Sequence, residues 1–244
     1  MADRPFRFAT AMLSDIGCTR TLNEDACLSR AELGLWAVAD GMGGHHAGDV
    51  ASQAIVAALD DIAPPESAGA FLAEVQARLQ AVHARLRAMA EEADSAAIGS
   101  TVVVLLAFDA HFACAWAGDS RLYLWRDRRL TQVSHDHSYV QELVDLGVIT
   151  AEAARTHPRG NVITRAVGAG DVLDVEVCQG RLQPDDRFLL CSDGLNRMVE
   201  DAEIAAALEA ASIDEVASHL MELSLSRGAR DNVTLILVEC HAAD

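Results

Sequence analysis

Helices packed outside paired sheets, an α+β arrangement, follow from three features of this chain. Helical periodicity appears twice early and twice late. Short apolar runs of strand character lie between and around those stretches. Several of these runs are joined by turns as short as Asp109-Ala110. No repeat, low-complexity tract or linker interrupts the 244 residues, so one compact domain spanning 1–244 is expected.

Phe6 to Met12 alternates loosely and predicts an opening strand. Leu33 to Ala39 predicts a second, running into the glycine-rich turn Asp40-Gly41-Met42-Gly43-Gly44. From Ala47 the period turns helical, with Val50, Ala54, Ile55, Ala58, Leu59 and Ile62 as its apolar stripe. Pro64-Pro65 ends that helix. A longer one is expected from Ser67 to Glu91, presenting Phe71, Leu72, Val75, Leu79, Val82, Leu86 and Met89. Thr101 to Phe108 is unbroken apolar sequence, too short for a membrane and typical of a central strand. Phe112 to Ala117, Arg121 to Trp125 and Leu130 to Val133 follow closely, the spacing of an antiparallel meander. Ser138 to Gly147 predicts a short helix, and the segment to about Gly170 reads as irregular. Strands are expected at Val172 to Val177, Arg187 to Cys191 and Val233 to Val238. The last helices fall at Ala202 to Leu208 and Ile213 to Leu225.

Composition narrows the function. The chain carries 37 acidic residues against 19 basic ones, a net charge of −18, and this argues against nucleic-acid or anionic-membrane partners. Every basic residue except histidine is arginine; there is no lysine. That excludes a P-loop lysine, a kinase strand lysine and Schiff-base chemistry. Six cysteines lie scattered without a Cys-x-x-Cys pair, mostly inside apolar runs where a thiol packs as a small hydrophobe. No signal peptide or membrane-length stretch is visible, so a reduced, cytoplasmic setting is expected. Separately, a monomer is expected.

Four aspartates sit at the edges of strand-like runs: Asp40, Asp119, Asp193 and Asp231. Taken singly, each fits an ordinary turn or helix cap. Gathered on one sheet rim, their carboxylates repel unless a cation lies between them, and oxygen-only ligands suit Mg²⁺ or Mn²⁺ rather than zinc. A metal-dependent hydrolase is the reading that follows.

Ordered blocks extend the pattern along the chain. Ser14-Asp15-Ile16-Gly17, Arg20 and Asn23-Glu24-Asp25 come first, then Asp40-Gly41-Met42-Gly43-Gly44-His45 and Gly99-Ser100-Thr101. Gly118-Asp119-Ser120-Arg121, Asp136-His137-Ser138 and His157-Pro158 to Gly168 follow, and Ser192-Asp193-Gly194-Leu195 and Asp231-Asn232-Val233-Thr234 close the set. Together they resemble the protein phosphatase 2C family, metal-dependent Ser/Thr phosphatases, in its compact bacterial form. The resemblance implies a four-layer αββα sandwich, two antiparallel sheets flanked by helix pairs. It implies that Asp25, Asp40 and the Gly41 carbonyl hold one Mn²⁺ or Mg²⁺, and that Asp40, Asp193 and Asp231 hold another. Asp119 and Asp193 match a third, weaker metal position. Arg20 matches the phosphate-binding arginine, and Glu24 a residue acting through metal-bound water. The stretch from 138 to 168 resembles the family's flap, where Arg159 and Arg165, together with His45 in the earlier loop, are candidates for substrate modulation.

Such chemistry needs such residues. Two cations about 3.5–4 Å apart acidify water and shield a phosphoryl group, and carboxylates cage them. A guanidinium donates paired hydrogen bonds to phosphate. Met42 departs from animal members, which carry histidine there; methionine cannot donate a proton to a leaving group. Expected partners are Ser/Thr-phosphorylated proteins, including a bacterial Ser/Thr kinase or its substrates. Three rivals compare poorly. A silent phosphoprotein-binding regulator would have lost a metal carboxylate, and every matching aspartate is present. A serine hydrolase on Gly118-Asp119-Ser120 lacks its late Asp-x-x-His partner, and no Asp-x-Asp-x-Asp-Gly calcium loop exists.

Overall fold

The computed structural model describes residues 5–43, 47–93, 98–209 and 212–243. Strand β1 (Phe6–Asp15) is followed by β2 (Asp25–Arg30) and β3 (Leu35–Gly43), then helices α1 (Ala47–Asp60) and α2 (Ala68–Glu92). Strands β4 (Ile98–Ser100), β5 (Val102–Phe108), β6 (His111–Ala117), β7 (Arg121–Arg126) and β8 (Arg129–Gln132) come next. Helices α3 (Tyr139–Asp145) and α4 (Ala151–Arg155) precede β9 (Glu176–Arg181) and β10 (Arg187–Cys191). Helices α5 (Asp193–Asn196), α6 (Asp201–Ala207) and α7 (Ile213–Ser226) lead to β11 (Val233–Ala242).

One sheet runs β1-β11-β10-β7-β8; the other runs β2-β3-β5-β6-β9, with β4 paired to β3. Three apolar layers make this a four-layer αββα sandwich. Alternation along each strand assigns residues to layers. In β3 and β5, Trp36, Val38, Val103 and Leu105 point between the sheets, whereas Leu35, Ala37, Val102 and Val104 meet α1 and α2. In β10 and β11, Phe188, Leu190, Ile236 and Val238 face the inter-sheet layer, while Leu189, Leu235 and Leu237 pack under α7. Burial on both faces is why these strands read as unbroken apolar runs.

Some expectations are corrected. Helix α1 buries Gly48, Ala51, Ser52, Ile55 and Leu59, and Val50 is 40% exposed. The predicted stripe is right at Ile55, Leu59 and Ile62 and fails at Val50, because α1 lies so near β3 that its inward face is completed by the small residues Gly48, Ala51 and Ser52. A Cβ on Gly41 would stand 2.0 Å from the Gly48 carbonyl oxygen. The expected meander is two hairpins, β5–β6 and β7–β8, in different sheets. Gly118, with φ +119°, carries the chain from one sheet to the other. Turn length cannot distinguish a hairpin from such a crossing. The strand expected from Val172 begins at Glu176, opposite Trp116, because β6 ends at Ala117 and offers nothing further to pair with. Strand β2 lacks the apolar signal of a central strand because it lies at a sheet edge. Among the described residues no helix is long and apolar enough to cross a membrane.

Candidate active site

Strand ends from both sheets meet on one rim. Asp25 opens β2 and lies directly across from Asp40 of β3. Asp193 follows the last residues of β10, and Asp231 precedes the neighbouring start of β11. Asp119 stands in the crossing between β6 and β7. Their mutual influence shows the convergence. Burial, then the charges of Asp25, Asp193, Asp119 and Asp231, hold the Asp40 carboxyl well above the usual carboxylate range. Asp25 is pushed up to about 7, chiefly by burial and despite hydrogen bonds from Thr234 and Ser192. Burial and the nearby Asp193 and Asp136 charges raise Asp119 to about 8. Asp193 is raised mainly by burial, with Arg197 opposing.

Local bonds fix these positions. Ser192 Oγ donates to Asp25 Oδ2 at 2.7 Å, joining the two sheets. The Asp40 backbone is held by Thr101: its N–H donates to Thr101 Oγ1 at 3.1 Å and its carbonyl accepts from Thr101 N–H at 2.8 Å. Asn232 organises the loop before β2. Its Nδ2 donates to the carbonyls of Ile16 and Leu22, both at 3.0 Å, and its Oδ1 accepts from Glu24 N–H at 2.8 Å. That loop carries Arg20, whose Nη2 lies 3.0 Å from Asp231 Oδ2 at the solvent edge. Glu24 packs against Gly48, and burial raises its pKa.

The donor set fits hard divalent cations. Every carboxylate at the rim offers oxygen, and Oδ1 of both Asp25 and Asp193 is buried without a hydrogen-bond partner. Two such orphans among carboxylates that raise one another's pKa mark a place built for positive charge. As the side chains stand, among the described residues no three His, Cys, Asp or Glu groups close into a ready cage. Arginines take part of that role: Arg20 pairs with Asp231, and Arg197 Nη2 sits 2.7 Å from Asp193 Oδ2.

The sequence profile described as "Protein phosphatase 2C" matches residues 19–230, a span that includes Arg20, Glu24, Asp25, Asp40, Asp119 and Asp193 and ends one residue before Asp231. The chain belongs to the protein phosphatase 2C family. It is 40% identical over 230 residues to the serine/threonine protein phosphatase PstP of Mycobacterium tuberculosis, covering 94% of this chain and 44% of that protein. It thus spans less than half the length of that relative. The serine/threonine phosphatase stp of Listeria welshimeri is 39% identical over 83% of this chain and 82% of its own. A solved structure of PppA, described as a key regulatory component of T6SS in Pseudomonas aeruginosa, is 42% identical with a TM-score of 0.90, covering 96% of this chain and 98% of that one. The catalytic domain of PstP in complex with two manganese ions superimposes with a TM-score of 0.88 at 38% identity, covering 97% and 99%.

Within this protein phosphatase 2C chain, the structure brings together Arg20, Glu24, Asp25, Asp40, Gly41, Asp119, Asp193 and Asp231. His45 lies outside the described residues. Arg159 stacks on the Tyr139 ring at 3.8 Å, and Arg165 pairs with Asp174 at 3.0 Å. His135 and His137 form no metal pair. His135 meets Asp145 at 2.8 Å, while His137 Nδ1 accepts from Gly118 N–H at 3.2 Å and its Nε2 lies 2.9 Å from Glu176. Sequence reasoning missed Asp49, whose Oδ1 is buried without a partner and whose charge acts on Glu24. It also missed Arg197. The i,i+4 spacing from Asp193 was the available signal for the latter.

Proposed function

We propose that this chain is a Mn²⁺- or Mg²⁺-dependent phosphatase that hydrolyses phosphoserine and phosphothreonine in proteins, opposing a bacterial Ser/Thr kinase. The observation that carries the reading is the meeting of aspartates from both sheets, with orphaned buried oxygens on Asp25 and Asp193. The names of its relatives and the manganese complex of PstP support it. Asp25, Asp40 and the Gly41 carbonyl would hold one ion, and Asp40, Asp193 and Asp231 the other. When bound, such ions supply the positive charge that offsets the carboxylates, acidifies water and shields a phosphoryl group.

The chain's own groups do the rest. Arg20 is half-exposed at the rim, and a guanidinium contacting Asp231 through one nitrogen keeps other N–H groups for phosphate oxygens. Glu24, its carboxyl pKa raised by burial, would act through water held at the rim. Met42 donates no proton, so the leaving group takes its proton from elsewhere. Residues 138–168 would act as a flap on a single catalytic domain. They border a cavity of about 620 Å³ that reaches Asp119, Asp193 and Arg197, room for a protein segment beside the phosphate. We read the protein as cytoplasmic and monomeric.

Chelation tests the reading. Hydrolysis of p-nitrophenyl phosphate and of a phosphothreonine peptide should vanish in EDTA and return with Mn²⁺. A protein that binds phosphopeptide but stays inert in Mn²⁺ would be a silent regulator instead.

A further inference from the structure

We infer that the Arg197 guanidinium occupies the place between Asp119 and Asp193 that a third metal ion would need, so this chain works with two ions and a built-in cation. The inference rests on the two-ion reading above.

Arg197 Nη2 lies 2.7 Å from Asp193 Oδ2 and 3.7 Å from Asp119 Oδ2. An ion shared by these two carboxylates would compete with this guanidinium for the space between them. The family expectation and this geometry therefore disagree at the third position. The mount is rigid. Arg197 ends the short helix α5 one turn after Asp193, and its backbone N–H donates to the Asp193 carbonyl at 3.0 Å. The division of Asp193 is also informative. Oδ2 is taken by Arg197, whereas Oδ1 is buried without a partner and stays free for an ion of the main pair.

A guanidinium differs from a metal in ways that matter here. It keeps its charge at every accessible pH and cannot be removed by chelators or dilution. Its charge faces both carboxylates at once. The same Nη2 also donates to the Gly160 carbonyl at 3.3 Å, within the segment beyond α4. One cation thus joins both carboxylates to the flap-like stretch. A third ion could enter only by displacing that link.

Metal counting tests this directly. The full chain is dialysed to equilibrium against millimolar Mn²⁺, and bound manganese per chain is measured. Wild type should bind two ions. Arg197→Ala should bind three, the third more weakly, and adding Asp119→Asn to that variant should return the count to two. Arg197→Lys, which keeps a cation and guards against a folding defect in the alanine variant, should also bind two. Three ions on wild type, or two on a folded Arg197→Ala, would overturn the inference and leave the two-ion centre standing. A wild type that binds none would overturn the two-ion reading itself.

Discussion

Asp193 feels three influences at once: burial that opposes its ionisation, the Arg197 charge that favours it, and repulsion from the charges of Asp231 and Asp136. Sequence placed it at a strand edge, and the structure adds that one of its oxygens has no partner. Asp193→Ala is expected to abolish turnover while leaving the circular dichroism spectrum unchanged; wild-type kcat would refute the assignment. Arg20 offers a second test. Its side chain is half-exposed and pairs with Asp231, so its removal should spare the fold. Arg20→Ala is expected to lower kcat/KM by about 10²–10³, the usual effect of losing one preorganised donor. Unchanged kinetics on a phosphopeptide would remove Arg20 from the site. Residue types were legible because metal chemistry demands them. Arg197 was not, since its one signal, the four-residue spacing from Asp193, equally fits a solvated arginine.

At the level of elements, the site depends on a loop that one amide ties at three points. Asn232, at the entry to β11, donates to the carbonyls of Ile16 and Leu22 and accepts from Glu24 N–H. It therefore positions Arg20 and Glu24 relative to Asp231. Asn232→Ala leaves the partly buried backbone groups of Ile16, Leu22 and Glu24 without this partner, each at a cost of up to about 1 kcal/mol. A fall in melting temperature of roughly 2–4 °C per kcal/mol is expected for a chain of this size. Because small misplacements near the reaction cost up to about 10²-fold, kcat should fall further than stability alone explains. Retained kcat in a folded variant would show that the loop positions itself. Strand order shows what periodicity does and does not report. The double-sided burial of β5 and β11 was readable as unbroken apolar sequence. The crossing at Gly118 was not, because its turn is as short as a hairpin's.

Across the whole molecule, the rim stores electrostatic repulsion that metal would relieve. Asp25 at about 7 and Asp119 at about 8 are raised from an ordinary 3.8. A carboxyl with a raised folded pKa binds its proton more readily in the native state than in the unfolded chain. Its contribution to stability is therefore full below about pH 4 and is lost as pH rises toward 8. Metal-free protein in EDTA should show a melting temperature that these groups drive downward between pH 5 and pH 8. Saturating Mn²⁺ should raise it more at pH 8 than at pH 5, because protonated carboxylates bind cations poorly. Equal metal stabilisation at both pH values, measured by calorimetry, would argue against ions at this rim.

Layering and chemistry were written along the chain: apolar periods set which segments are helix and strand, and the ordered aspartates announced a rim where carboxylates converge. Those properties are local, since each depends on a few neighbouring side chains. Which face of α1 turns inward, where the chain changes sheets, and which arginine enters between Asp119 and Asp193 depend on distances between segments remote in sequence. Close backbone approach and the balance of charges within the assembled rim settle them, and neither exists before the two sheets meet.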